Sequence, residues 1–416
     1  MTNNTENIPK KNIFWKAIQF FGLKKSLAAM LTMVILVGLG EKMAERFLPI
    51  YILALGGSTL IVGILNGIDN LLSALYSFPG GYIADRFGYK KALAIFNIVA
   101  IFGYLIVIVF PSWPAVLMAA VFFLSWTSLS LPATMSLVNQ VMPNNKRTMG
   151  VTLNSIVKRV PMALGPLLGG YMIYKYGETD GVRLAFGVAL VLAVVALILQ
   201  QWMIEDFIPA HKAESNPLKL MQYMSPDLRN LLVSDILVRF AEQIPYAFVV
   251  IWAMKNIGVS SVQFGVLTTI EMITAVLIYI PVAYLADKST KKPFVLISFC
   301  FFAAFPIAVF YSKSFTLLIF AFILRGLKEF GEPTRKALIM DLAPEDKKAG
   351  MFGLYYLLRD VIVAVAAVGG AFLWNISPFT NFAAATGFGI LGVLYFAVFG
   401  RDMGKSVHDK VSSPSP

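Results

Sequence analysis

The segment Gly40-Glu41-Lys42-Met43-Ala44-Glu45-Arg46-Phe47 sets two carboxylates and two cations inside an otherwise apolar run. Glu41 and Glu45 are four residues apart, as are Lys42 and Arg46, so on a helix each pair shares a face. A second cluster holds Arg325, Lys328, Glu329, Glu332, Arg335 and Lys336. Its ion-pair spacings are Arg325/Glu329, Lys328/Glu332 and Glu332/Lys336, and Pro333 interrupts the helix, freeing backbone groups that need other partners. Single ionisable residues in apolar surroundings add Asp69, Lys158, Arg159, Asp235, Arg239, Glu242, Glu271, Arg359 and Asp360. The chemistry within reach is ion pairing and proton exchange, because a buried carboxyl holds its proton more tightly and exchanges it nearer neutral pH. The proton-exchange candidates are Glu41, Glu45, Asp69, Glu242, Glu271 and Glu329, with Glu41 or Glu45 foremost. Arg46, Lys158, Arg239, Arg325 and Arg359 are the cations that a substrate cavity could use. His211 and His408 fall outside every apolar run, so a proton relay must use carboxylates.

Enzyme chemistry finds no such foothold. There is no H-E-x-x-H metal cluster and no G-x-S-x-G nucleophile elbow. Gly404-Lys405-Ser406 mimics the end of a P-loop, but Phe399 stands where its first glycine is needed. No catalytic residue, metal or cofactor is expected. The single cysteine, Cys300, lies in an apolar run and reads as a small hydrophobe.

The elements that position these charges are membrane spans. Of the 416 residues, 58% are hydrophobic and 14% charged, against about 45–50% and about 25% in a soluble domain. A crossing needs about 20 mostly apolar residues. Twelve runs qualify: 27–54, 58–83, 91–110, 114–142, 149–174, 182–204, 229–256, 262–285, 293–311, 315–342, 349–373 and 379–399. Charges interrupt 27–54, 149–174 and 315–342. Residues 1–26 form a polar, basic tail without a signal-peptide core. The expected organisation is a six-helix bundle at 27–204, a proline-containing linker at 205–228, a second bundle at 229–400 and a tail at 401–416. The tail, the central linker and the loops on their side carry about 21 Lys and Arg against about four on the other side, which puts both termini in the cytoplasm. The net charge of +12 is thereby a topology signal and not a nucleic-acid footprint.

The two bundles are copies. Residues 62–91 align with 264–293 without a gap, matching Gly63/Gly265, Pro79/Pro281, Tyr82/Tyr284, Asp85/Asp287 and Lys90/Lys292, and keeping charge at Asp69/Glu271. At an offset of 201, Pro132/Pro333, Pro143/Pro344 and Lys146/Lys347 match, and Lys158/Arg359 keep charge. Duplicated bundles with a polar seam are the architecture of alternating-access carriers, with the substrate near the midplane.

The loop after the second span reads Gly81-Tyr82-Ile83-Ala84-Asp85-Arg86-Phe87-Gly88-Tyr89-Lys90-Lys91. It resembles the G-x-x-x-D-R-x-G-x-K/R-K/R signature of the major facilitator superfamily, and a degenerate copy follows the eighth span as Tyr284-Leu285-Ala286-Asp287-Lys288. With twelve spans and the repeat, the resemblance covers essentially the whole chain. It implies an all-α membrane protein of twelve transmembrane helices in two pseudo-symmetric six-helix bundles. It also implies a gate at Gly81, Asp85, Arg86, Gly88, Lys90 and Lys91, whose Asp85 and Arg86 latch the halves at the cytoplasmic side. Spans 1, 4, 7 and 10 would line the cavity, and spans 2, 5, 8 and 11 the interface between halves. Gly165-Pro166-Leu167-Leu168-Gly169-Gly170 in span 5 resembles the G-P-x-x-G-G core of drug–proton antiporters, a helix-bend motif at Gly165, Pro166, Gly169 and Gly170. Close helix packing accounts for it equally. Glu41 to Phe47 is similar to the E-x-x-E-R-F segment of proton-coupled peptide transporters. The first Glu is displaced by one residue and no Tyr-Tyr pair follows, so peptide transport is not carried over.

These readings converge on a plasma-membrane secondary transporter, proton-coupled and exporting an amphipathic compound. The alternative is a proton-coupled importer of a small organic anion using Lys158, Arg325 and Arg359. The partners expected are a small-molecule substrate, the proton and the lipid bilayer, with a monomer as the working unit. The symmetric charges are expected to bridge the halves as Asp69–Arg359 and Glu271–Lys158. Trp126, Tyr246, Trp252, Tyr355 and Tyr356 are the candidate cavity aromatics.

Overall fold

The computed structural model describes residues 25–124, 126, 129–130, 134, 147–204, 217–286, 290–344 and 348–401. Every regular element among them is helical. Span 1 comprises α1 (Lys25–Glu45) and α2 (Leu48–Ala54), span 2 is α3 (Thr59–Phe87), span 3 is α4 (Tyr89–Val109), and span 4 begins with α5 (Trp113–Phe123). Spans 5 and 6 run through α6 (Arg147–Met203), which bends at Gly177 with φ 85°. A 3-10 turn at Pro217–Tyr223 leads to span 7, made of α7 (Pro226–Gln243), α8 (Tyr246–Ile251) and a π turn at Trp252–Asn256. Spans 8 and 9 are α9 (Ser261–Ala286) and α10 (Lys292–Tyr311). Span 10 is α11 (Phe315–Leu327), a 3-10 turn at Lys328–Gly331 and α12 (Glu332–Leu342). Spans 11 and 12 are α13 (Lys348–Ile376) and α14 (Pro378–Phe399).

Among the described residues eight stretches are long and apolar enough to cross a membrane, and the one at Val157–Met203 contains two spans. Span 10 is divided by its 3-10 turn into two shorter helices, and α1 ends in the charged segment Glu41-Lys42-Met43-Ala44-Glu45; most of span 4 beyond Leu124 lies outside the described residues. Prolines explain three of the breaks in the described chain. Pro49, Pro245 and Pro333 lack an N–H and crowd the carbonyl four residues back, so α1 ends at Glu45, α7 ends at Gln243, and α11 gives way to the Lys328–Gly331 turn. Each break falls within one turn of an ionisable residue singled out above: Glu45, Glu242 or Glu329.

The duplication is visible in the turns. Gly56 and Gly258, 202 residues apart, follow the first span of each half with φ of 80° and 82°, a conformation that favours glycine.

The halves meet along two seams. In one, α9 lies on the span-5 part of α6: Ser261 Oγ donates to Gly170 O at 2.7 Å and Thr269 Oγ1 to Ala163 O at 2.7 Å. A Cβ on Gly265 would stand 2.6 Å from Pro166 O, so glycine sets the approach. In the other, α3 lies on α13, with Gly63 and Gly67 facing Ala371 and Val368. One apolar core runs across both halves away from the linker, joining Phe47, Tyr51 and Val62 to Phe248, Phe264, Phe322 and Phe382. Toward the linker the second half has its own core, from Leu220 and Met224 to Phe299, Leu338 and Tyr355.

Candidate functional site

The second half carries a lattice of buried charge. At its centre is Asp235 of α7, whose side chain is 0% exposed. Its Oδ1 accepts from Arg335 Nη1 at 2.7 Å, and its Oδ2 accepts from Tyr355 Oη at 3.1 Å and from Arg359 Nη1 at 3.5 Å. Arg335 also pairs with Glu332, and Arg359 Nε donates to Asp360 at 2.7 Å. Arg239 reaches Asp235 at 3.9 Å and Glu332 at 3.6 Å and bonds Glu242. Lys328 bonds Glu242 and lies 3.7 Å from Glu271. Arg325 pairs with Glu271 at 3.2 Å, the two side chains being 3% and 1% exposed. Spans 7, 8, 10 and 11 are thus joined by one continuous ion-pair chain. Such pairs hold in a dry interior only when each charge meets its opposite in good geometry.

The first half carries a smaller cluster. Lys42 is shared between Glu41, at 3.2 Å, and Glu45. Arg46 lies at the break between α1 and α2 and covers the ring of Tyr246 at 5.0 Å. Arg325 covers the same ring at 5.5 Å from the second half, so one tyrosine at the span-7 break receives a guanidinium from each half. Glu45, Arg46, Tyr246 and Arg325 line a central cavity together with Asp69, Asn66, Leu48, Val62, Leu65, Val250 and Phe264. It has room of about 40 Å³ for water-sized molecules, against about 300–1,000 Å³ for a drug-sized ligand site.

The structure redistributes several expected pairs. Glu271 pairs with Arg325 and Lys328, not with Lys158. Arg359 pairs with Asp235 and Asp360, not with Asp69. The physical reason is proximity within the second half: spans 7, 8, 10 and 11 supply Glu271 and Arg359 with opposite charges before the other half is reached. Along span 10, the 3-10 turn takes Arg325 and Lys328 out of register with Glu329 and Glu332. Glu329 instead receives Arg159 of span 5 at 2.9 Å, an ion pair between the halves. Only Glu332/Lys336 keeps the expected spacing pair, at 3.2 Å.

Of the five candidate aromatics, Tyr246 alone is among the residues that line the cavity. Trp126 Nε1 donates to buried Asn97 at 2.9 Å. Trp252 stacks on Phe310 at 5.2 Å in an aromatic cluster away from the linker. Tyr355 serves Asp235, and Tyr356 lies under Arg359 at 4.3 Å. Cys300 is exposed on α10.

Gly165 and Gly169 face the backbone of Lys42 and Met43 in α1, whereas Gly170 faces Ser261 of α9. Pro166 sits between them with its carbonyl against Gly265. The span-5 motif is therefore the place where the charged segment of span 1 and the seam between halves meet on one helix. In the loop motif, Gly88 caps α3 with φ 85° and its N–H bonds Ala84 O. The Lys90 carbonyl accepts from Gln200 at 2.8 Å, and Lys91 is exposed. Arg86 is exposed and donates to Tyr82 of its own helix at 3.0 Å, so it does not latch the halves in this conformation. Gly81 lies within α3, but the Asp85 side chain, Asp287, His211, His408 and the tails fall outside the described residues.

Residues not foreseen as functional join the halves at span 7. Asn70 Nδ2 donates to Gln243 Oε1 at 3.1 Å and Asn66 Nδ2 to Gln243 O at 3.3 Å. The sequence signal was Pro245 just after Glu242-Gln243, which marks a break that exposes backbone acceptors.

The family model described as Major Facilitator Superfamily matches residues 30–222 and 231–414. An uncharacterized MFS-type transporter of Methanocaldococcus jannaschii is 22% identical over 366 residues, covering 83% of this chain and 87% of that protein. A Na(+), Li(+), K(+)/H(+) antiporter of Planococcus maritimus is 26% identical over 163 residues, which is 38% of this chain and 36% of that protein. Among solved structures, a POT family transporter in complex with a thioalcohol-conjugated peptide superposes with a TM-score of 0.77 at 13% identity, covering 95% of this chain and 98% of that one. At that identity the likeness is one of fold.

Proposed function

Because the chain belongs to the Major Facilitator Superfamily, we propose that it carries a small amphipathic compound through its central cavity by alternating access, driven by protons. The protein is an integral membrane transporter and not an enzyme. The observation that carries proton coupling is the sharing of Lys42 between Glu41 and Glu45. Protonation of one carboxyl leaves Lys42 its ion pair with the other. Either carboxyl can therefore take up a proton without leaving an unpaired cation, and Glu45 does so on the wall of the cavity. The G-P-x-x-G-G core in span 5 and the partial likeness to a cation/proton antiporter support export. On this reading the working unit is a monomer in the plasma membrane with both termini in the cytoplasm. The loop motif around Asp85 and Arg86 acts as the gate in another state of the cycle.

A second reading, uptake of a small organic anion, is favoured by two cations, Arg46 and Lys158, that have no carboxylate within 4.0 Å among the described residues. Deleting an exporter sensitises cells to toxic compounds, whereas deleting an importer abolishes growth on one nutrient.

The coupling is tested in proteoliposomes under an imposed pH gradient, with substrates found by a thermal-shift screen at two pH values. Wild-type protein is expected to accumulate substrate against its gradient. Glu41→Gln and Glu45→Gln proteins are expected to equilibrate it without accumulation. Full gradient dependence in both variants would sink the assignment of the proton to this pair.

A further inference from the structure

Charge is balanced unevenly among the buried groups. In the second half, each basic side chain of the lattice has a carboxylate within 4.0 Å. In the first half, Lys42 and Arg159 do as well. Among the described residues Arg46 and Lys158 have none. A cation withdrawn from water without a counter-ion is costly, and proteins keep one inside a membrane where it meets a substrate or an ion path.

Both cations are suitably placed for such a path. Arg46 lines the central cavity and lies over Tyr246. The carboxylates of the lining do not supply its missing partner: Glu45 is bonded to Lys42, and neither Glu45 nor Asp69 comes within 4.0 Å of it. Lys158 precedes Pro161, whose ring lies against Gly38 of α1. It is thus farther toward the linker along the helix pair whose upper part holds Arg46. The remainder of the cavity wall near Arg46 is apolar, with Leu48, Val62, Leu65, Val250 and Phe264.

We propose that the cargo is an amphipathic organic carboxylate, met by Lys158 on the linker side and seated on Arg46 beside Tyr246, with its apolar part against Leu65, Val250 and Phe264. Arg325, already paired with Glu271, shapes the far side of the Tyr246 ring and does not supply the binding charge. The proposal rests on the central cavity being the cargo's site, and it is indifferent to the direction of transport and to the coupling ion. A planar guanidinium binds a carboxylate through two parallel N–H bonds, which a neutral amide of the same shape cannot reproduce.

The experiment uses the purified full chain and reads thermal stability and binding. Ligand-free Arg46→Gln is expected to melt at or above the wild-type temperature, because no ion pair within 4.0 Å is lost. Ligand-free Arg335→Gln is expected to melt well below it. Matched pairs are then added: naphthoic acid and naphthamide, indole-3-acetic acid and indole-3-acetamide, decanoic acid and decanamide. At least one acid is expected to stabilise the wild type while its amide does not. Affinity should fall about tenfold to a hundredfold in Arg46→Gln, and less in Arg46→Lys. The proposal is overturned by a melting loss in Arg46→Gln matching that of Arg335→Gln, by amides binding as well as acids, by no acid stabilising the wild type, or by acid binding that survives Arg46→Gln. Acid preference retained in Glu45→Gln, together with transport that ignores the pH gradient, would remove the proton assignment and leave this one standing.

Discussion

The two halves descend from one repeated pattern, yet they treat charge in opposite ways. In the second half, Asp235, Glu242, Glu271 and Glu332 each hold cations from neighbouring helices, and the lattice closes on itself. In the first half the counterpart segment has one lysine between two carboxylates, and among the described residues Arg46 and Lys158 have no carboxylate within 4.0 Å. The difference teaches that ionisable residues inside a membrane are of two kinds. A fully paired lattice fixes the geometry of four helices. A cluster that shares one lysine between two carboxylates and sets an arginine on a cavity wall can change its proton or ligand occupancy with less rearrangement.

The comparison breaks most readily at Asp235. Asp235→Asn leaves Arg335 and Arg359 facing a neutral amide, and removing one member of a buried pair costs about 3–5 kcal/mol. The expected outcome is a collapse of monodisperse protein and of melting temperature in fluorescence-detected size exclusion. A loss no larger than that of Arg46→Gln would erase the distinction between the halves. A middling effect is expected at the span-5 glycines. A Cβ at Gly169 would collide with the Met43 carbonyl, whereas Gly369 of span 11 has nothing within 4 Å of its Cβ position. Gly169→Ala should destabilise by about 1–3 kcal/mol through overpacking, while Gly369→Ala should be neutral or stabilise by about 0.5–1 kcal/mol through backbone propensity. Melting curves of the two variants check this, and equal effects would show that span 5 is no more tightly seated than span 11. The smallest effect belongs to Lys255–Glu178, an exposed pair joining the halves away from the linker, with side chains 46% and 31% exposed. Lys255→Gln should shift stability by about 0–1 kcal/mol, and less at high salt.

Much of the fold was legible because membrane spans are set by length and hydropathy, which are local. The duplication was legible because Asp, Pro and Lys recur in register at 62–91 and 264–293. The pairings were not. Glu271 and Lys158 looked like partners by symmetry, but symmetry says nothing about which neighbour a side chain reaches first. Asp235 stood as one buried acid among several, since its central role depends on Arg335, Tyr355 and Arg359 converging from 100 or more residues away. The breaks in spans 1 and 7 were written in Pro49 and Pro245. Hydropathy does not mark those prolines within continuous apolar runs, because it is blind to a missing N–H.

One consequence of the fold concerns how its two ends respond to conditions. Away from the linker, a single apolar core bridges the halves, while nearer the linker a described bridge is the ion pair of Arg159 with Glu329. Separating the first exposes apolar surface to water and carries a positive heat-capacity change. Separating the second hydrates two charges and is helped by dissolved ions. Temperature and ionic strength therefore act on different ends of the molecule.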